Sequence, residues 1–198
     1  MEKYVVTLSR QFASMGRTIA QEMSKTLGIE FYDRDIVEET AKRLGESVPE
    51  ISRVEEAGAS VFSKRRYPLG MGIASMQEEV FATQSSIICD LAKKESCIIV
   101  GRCADYLLRE NPRCLNIYVF APIEARLRNC VELLGMQEKT ARKMIHEVDK
   151  AREIYRLRHC DGVRSVLDHR DILIDSSRFG AHKTACMLSD MVLSVFGD

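Results

Sequence analysis

Three sets of residues have the types and spacing to handle a phosphoryl group. The first is the segment Ser9-Arg10-Gln11-Phe12-Ala13-Ser14-Met15-Gly16-Arg17-Thr18. Against the phosphate-cradling pattern G-x-x-x-x-G-K-[ST], Gln11 stands at the first glycine, Gly16 at the second, Arg17 at the lysine and Thr18 at the hydroxyl. Such a loop works through backbone N–H groups and a helix N-terminus, which need no particular side chain. Arginine keeps the positive charge and adds a fork for phosphate oxygens. On this reading Ser14, Met15, Gly16, Arg17 and Thr18 hold a nucleoside triphosphate, and the Thr18 hydroxyl meets Mg²⁺. The plain alternative is a strand–helix connection with no ligand. A cation in the first turn opposes the helix dipole, which argues modestly for an anionic partner.

The second set is Asp149, Arg152 and Arg156, spaced three and four apart and so on one face of a helix. Phosphoryl transfer needs positioning and charge neutralisation more than covalent help, so Arg17, Arg152 and Arg156 are the catalytic candidates. An exposed helix laced by ion pairs would show the same spacing. The third set is Asp33 and Arg102, each just past a short apolar strand, where ligands gather in open α/β sheets. Asp33 is about as well explained as a helix N-cap. Arg126 and Arg128 sit on a helix expected to be half-exposed. Lys64-Arg65-Arg66 is a charge run of the kind that is usually solvated. The four histidines are scattered, and none pairs with Ser or Cys as in a nucleophilic triad.

The elements that would position these residues follow from apolar periodicity. Strands are predicted at Tyr4–Leu8, Glu30–Tyr32, Cys97–Val100, Leu115–Phe120 and Ile172–Ile174. Helices are predicted at Arg17–Leu27, from Asp33 to Leu44, about Ala74–Lys94, Ile123–Leu134, Gln137 to about His159, and Ala181–Phe196. Gly28 and Gly45 stop the first two helices. Residues 46–72, with Pro49, Pro68 and several glycines, suggest one short helix and a mobile loop. Strand–helix alternation with continuous apolar strands implies a parallel sheet covered on both faces.

The 198 residues suit one domain, 45% of them hydrophobic and 29% charged. With 29 basic and 29 acidic residues the chain lacks the basic excess expected of a nucleic-acid binder. Seven cysteines without metal-ligand spacing suggest reduced thiols and a cytoplasmic protein. No signal-peptide pattern and no run of 18 apolar residues occur, so no membrane partner is expected. The long helix near Ala74–Lys94 is where a homodimer would pair, although such apolar faces are more often core.

Read together, the motifs resemble the cytidylate kinase-like family. The first loop is similar to that family's Ser-Arg-Glu-Tyr-Gly-Ser-Gly-Gly-Arg. Phe31-Tyr32-Asp33-Arg34, Val100-Gly101-Arg102, Ala121-Pro122-Ile123-Glu124-Ala125-Arg126, Val148-Asp149-Lys150-Ala151-Arg152 with Tyr155, and Ile172-Leu173-Ile174-Asp175-Ser176-Ser177 resemble its further motifs, in the same order. The resemblance implies a P-loop, doubly wound, five-stranded parallel sheet. It implies an acceptor-binding insert at about 46–78 and a helical lid at about 135–165. It implies ATP and Mg²⁺ as cofactors and small nucleotides as partners, with a nucleoside monophosphate such as CMP or dCMP, or a similar small acceptor, receiving the phosphoryl group. Asp149 and Arg152 match a lid pair that holds the acceptor, and Arg102 falls near the acceptor phosphate. The competing reading is a catalytically degraded, nucleotide-binding regulatory protein on the same fold, prompted by Gln11, Ala13, Met15, Cys103 and Ile145.

Overall fold

A computed structural model describes residues 2–56, 73–163 and 165–197. Five parallel strands form one sheet in the order β2-β3-β1-β4-β5. They are β1 (Val5–Arg10), β2 (Glu30–Tyr32), β3 (Cys97–Val100), β4 (Cys114–Phe120) and β5 (Ile172–Asp175). The central strand β1 pairs with β3 from Val5↔Cys97 to Leu8↔Val100, and with β4 from Val5↔Cys114 to Arg10↔Val119.

The helices are α1 (Gly16–Leu27), α2 (Arg34–Leu44), α3 (Val48–Glu56), α4 (Ile73–Lys94), α5 (Ala104–Leu107), α6 (Ile123–Arg128), α7 (Glu138–His159) and α8 (Gly180–Phe196). They cover both faces of the sheet, which is why β1 and β3 bury consecutive residues rather than alternate ones. On one face α1 and α8 bring Ile19, Met23, Leu188 and Val192 onto Val6, Leu8, Ile98 and Ile117. On the other, Ile36 of α2 and Ile87 and Ile88 of α4 meet Val5 and Ile99. From β1 the chain passes to the edge strand β2, returns inward to β3 beside β1, and then crosses over β1 to β4. The strand order therefore reverses at β1, and the crevice beyond its carboxyl end is the topological switch point.

The predicted strands and long helices are present with end shifts of a residue or two. Two differences affect the site. The helix expected to run unbroken from Ile123 to Leu134 is α-helical only to Arg128, then widens into a π-turn over Asn129–Leu133. That turn carries Cys130 into a buried cluster with Ala141 and Ile145, against Phe12 and Ala13. Beyond β3, the backbone takes three successive left-handed conformations at Gly101, Arg102 and Cys103, with φ 79°, 51° and 56°, before α5. The expected loop over 57–72, including Lys64, Arg65 and Arg66, lies outside the described residues. Among the described residues no helix is long and apolar enough to cross a membrane.

Candidate active site

The loop between β1 and α1 closes under the switch point, and its shape is set by two left-handed residues. Ala13 has φ 58° and Met15, just before α1, has φ 63°. Left-handed geometry in a non-glycine residue costs about 1–2 kcal/mol. Surrounding contacts hold it in place. Ser14 is buried, and its hydroxyl donates to the carbonyls of Gln11 at 2.9 Å and Val119 at 3.1 Å. The Ser176 hydroxyl donates to the Ser14 carbonyl at 2.7 Å. The Asn129 amide, aimed by the π-turn, donates to the Ala13 carbonyl at 2.8 Å. Gln11 accepts the Ala121 amide at 3.1 Å and so joins the loop to the end of β4. Gly16 is required by packing, since a Cβ there would come 2.7 Å from the Arg10 Cβ.

The result is a concave run of backbone donors. Among the described residues, the amides of Ala13, Met15, Gly16, Arg17 and Thr18 and the Thr18 hydroxyl have no protein acceptor. No acidic side chain sits in the first turn of α1 to neutralise its dipole. One amide of the loop is already held by an anion. The Phe12 N–H donates to the Asp149 carboxylate of α7 at 2.7 Å, and the same carboxylate takes the buried Arg126 guanidinium. Arg152, one turn further along α7, donates to the Arg10 carbonyl at 3.0 Å. Asp149 and Arg152 thus both reach the loop expected to bind phosphate. Arg126, expected on a half-exposed helix, is buried and serves as the counter-ion of Asp149.

Three arginines meet on one buried carboxylate at the end of β2. Asp33 receives Arg17 at 3.2 Å, Arg102 at 3.4 Å and Arg10 at 3.6 Å. Its side chain makes no N-cap hydrogen bond to α2, so the N-cap reading of Asp33 is corrected: the carboxylate gathers cations instead. Arg102 also donates to Glu55 of α3 at 2.9 Å. Glu55 accepts the buried Gln84 amide at 2.6 Å, and Gln84 accepts the Tyr155 hydroxyl of α7 at 3.0 Å. Among the described residues three guanidinium groups, those of Arg10, Arg17 and Arg102, thus converge on two carboxylates, Asp33 and Glu55.

Arg10 shows the consequence most clearly. Burial, and then the neighbouring charge of Arg152, push its pKa down to about 9 in spite of Asp33. A crowded guanidinium of this kind is stabilised by any anion that enters. Arg10 stands in the loop motif but is given no role by it, because β1 runs two residues past the predicted Leu8 and carries Arg10 at its end. Glu55 and Gln84 were missed for a similar reason: their role exists only once α3 and α4 pack together. A further signal for Arg10 is Gly101, whose missing side chain makes room for it. A Cβ at Gly101 would lie 2.2 Å from the Arg10 Nη1.

Two expected site residues face elsewhere. Ser14 turns its hydroxyl inward, away from the open face of the loop. Arg156 lies apart from the β1–α1 loop. It donates to the fully buried Asp105 at 2.6 Å and to the Asp168 carbonyl at 2.9 Å, and Arg170 meets the same Asp105 oxygen at 2.7 Å. The Arg156 guanidinium is therefore held with that of Arg170 on Asp105, rather than on the β1–α1 loop.

The profile of the cytidylate kinase-like family matches residues 5–178. The chain belongs to the cytidylate kinase-like family. A crystal structure of a protein from Eubacterium ventriosum ATCC 27560 superposes with a TM-score of 0.74 at 22% identity, covering 97% of this chain and 99% of that one. Shikimate kinase from Acinetobacter baumannii in complex with shikimate gives 0.56 at 14% identity, covering 99% and 96%. Deoxyadenosine kinase from M.mycoides, with dCMP and dCDP bound, gives 0.51 at 14% identity, covering 96% and 99%. No curated protein matches the sequence. The fold is that of the P-loop kinases, and family and fold together support a phosphotransferase of nucleotide-kinase type.

Proposed function

We propose that this chain transfers the terminal phosphoryl group of ATP to a small acceptor bound between Arg102 and helix α7. The observation that carries the reading is the left-handed pair Ala13 and Met15, which turns a run of unpaired amides onto the positive end of α1. These amides, from Met15 to Thr18, would hold the donor phosphates. Arg17, with its side chain about half-exposed, would leave Asp33 for the phosphate oxygens. Arg10 and Arg152 border the same space and would offset charge developing on the transferred group.

The residues present fit Mg²⁺ bound chiefly through phosphate. Magnesium keeps most of its waters and takes few protein ligands beside substrate phosphates, and the Thr18 hydroxyl is such a ligand at the helix start. When bound, the ion would neutralise phosphate charge. The remaining work falls to the chain: Asp149 keeps α7 against the loop, Arg152 directs its guanidinium there, and Asp33 and Glu55 orient Arg102.

The acceptor is proposed as a nucleoside monophosphate, with CMP and dCMP the first to try. Arg102 would meet its phosphate, with Asp33, Asp149 and Arg152 lining the same side. The regulatory alternative rests on the absence of loop glycines. The left-handed geometry of Ala13 and Met15 weighs against it, because the loop takes the required shape without them.

The test is turnover of purified protein with ATP-Mg²⁺ against a panel of nucleoside monophosphates and hydroxylated acceptors. ADP release that depends on one acceptor, and is lost in Arg17→Ala and Arg152→Ala, supports the proposal. Full turnover in both variants would refute the assignment of those residues. Stabilisation by ATP with no turnover on any acceptor would favour the regulatory reading.

A further inference from the structure

We propose that Gln84 and Tyr155 are positioning residues for Arg102, forming with Glu55 a hydrogen-bonded relay by which helix α7 aims the guanidinium on the acceptor side of the cleft. The effect on turnover rests on the function proposed above, whereas the effect on Arg102 rests on the hydrogen bonds alone.

Arg102 lies in a left-handed turn, and the direction of its guanidinium is set by the partners of its side chain. Its Nη1 donates to the Val100 carbonyl at 3.1 Å and reaches Asp33 at 3.4 Å. Its Nε donates to Glu55 Oε1 at 2.9 Å. Among the described residues its Nη2 has no acceptor, so that donor is left for a ligand oxygen. Where it points depends on Glu55, near the end of α3.

Glu55 is itself held from behind. The same Oε1 accepts the Nε2 of Gln84 at 2.6 Å, and Gln84 is fully buried on α4. A carboxylate only accepts, so it fixes the amide with Nε2 toward Glu55 and Oε1 away from it. That Oε1 accepts the Tyr155 hydroxyl at 3.0 Å. Burial, and then Glu55, push the Tyr155 phenol up, which keeps it a protonated donor. If α7 withdraws Tyr155, a buried carbonyl oxygen loses its donor and the amide is no longer held in one orientation. The position of α7 is thereby linked to that of Glu55, and through it to Arg102.

The relay is separable from packing. The Tyr155 ring meets Phe81 edge-on with centroids 6.1 Å apart and tilts against His159 at 4.6 Å, contacts that do not involve the hydroxyl. These aromatic contacts brace α4 against α7, and the polar chain adds orientation at its far end. The same helix carries Asp149 onto the Phe12 amide and Arg152 onto the Arg10 carbonyl. One element thus reaches the β1–α1 loop directly and Arg102 through two intervening side chains.

The experiment treats the folded, full-length chain with phenylglyoxal, an arginine reagent, and follows each modified peptide by mass spectrometry in wild type, Tyr155→Phe and Gln84→Leu. Tyr155→Phe keeps the ring and removes only the hydroxyl; Gln84→Leu removes the amide at similar volume. Arg102 should be modified at least about threefold faster in both variants, with buried Arg126 unchanged. An unchanged rate at Arg102 in either variant would overturn the relay, as would an equal acceleration at Arg126, which marks general loosening. With an acceptor identified, both variants should raise its KM at least about fivefold and leave the KM for ATP within about twofold. A fall in kcat alone, or an equal rise in both KM values, would overturn the positioning role. Wild type with no turnover on any acceptor would count against the function proposed above, while faster labelling of Arg102 in the variants would still support the relay.

Discussion

The Asp149 carboxylate accepts the Phe12 amide at 2.7 Å although the two residues stand 137 positions apart in the chain. Its second oxygen holds Arg126, itself buried against the Phe12 carbonyl. One side chain of α7 therefore fixes both the entry of the β1–α1 loop and the helix that supports it. The remaining loop amides are left facing the cleft.

Removing Asp149 should consequently cost both stability and function. Asp149→Ala leaves the Arg126 guanidinium buried without its partner, and its loss is expected to lower stability by about 2–3 kcal/mol. Urea denaturation of Asp149→Ala, Arg126→Met and the double variant checks this. The double variant should be less destabilised than the sum of the two singles, because each single strands the other member of the pair.

Arg17 and Arg156 should separate by readout. The Arg17 side chain is 51% exposed, so Arg17→Ala should change stability by less than about 0.5 kcal/mol. Turnover should nevertheless fall by about a hundredfold or more. Asp105→Ala leaves Arg156 and Arg170 buried without their shared carboxylate and should cost about 3–5 kcal/mol. Denaturant midpoints alongside acceptor-dependent ADP release would distinguish these two outcomes.

Much of this architecture was legible in the sequence. Apolar runs such as Cys97–Val100 mark strands covered on both faces, and Gly28 and Gly45 mark helix ends. The loop was legible by position, between a β-branched run and a periodic helix. What periodicity could not show was convergence. Nothing near Arg10 in the chain announces Asp33, since that contact arises from the parallel register of β1, β2 and β3, and Glu55 meets Arg102 only once α3 packs in place. Arg156 shows the converse. Its spacing from Arg152 puts both on one helix face, but four residues advance about 6 Å along the helix axis, enough to reach a different neighbour. The π-turn at Asn129–Leu133 was hidden because its apolar residues also satisfy a helical pattern.

Backbone strain in the loop should be relievable. Ala13→Gly removes a left-handed non-glycine residue and loses only a methyl group. After the entropic cost of glycine, it should stabilise the fold by about 0.5–1 kcal/mol. Gly101→Ala should act in the opposite direction, by about 1–2 kcal/mol, since φ is 79° and the new Cβ meets Arg10. Thermal midpoints of the two variants should move in opposite directions.

His159 sets an acid limit. Its ring stacks on Phe81 with centroids 4.1 Å apart, and burial, then Arg158, holds its pKa below the ordinary histidine value, against a smaller opposing pull from Glu78. As pH falls through about 6.5, the unfolded chain takes up a proton that the folded chain does not. Stability is therefore lost below that pH, by at most about 1.4 kcal/mol per pH unit, and the loss levels off below the folded-state pKa. His159→Phe keeps the stack and should remove this component from denaturant midpoints measured between pH 7 and pH 5, the range about the ordinary histidine value.

The central claim, that the β1–α1 loop is a phosphate site, is tested most directly by titrating the chain with ATP-Mg²⁺ and following the thermal midpoint in wild type and Arg17→Ala. A ligand that binds only the folded state raises stability by RT ln(1 + [L]/Kd), so binding is visible even without turnover. The account predicts a concentration-dependent rise in wild type that is strongly reduced in Arg17→Ala. An unchanged midpoint in wild type at millimolar ATP, or an equal rise in both proteins, would contradict it.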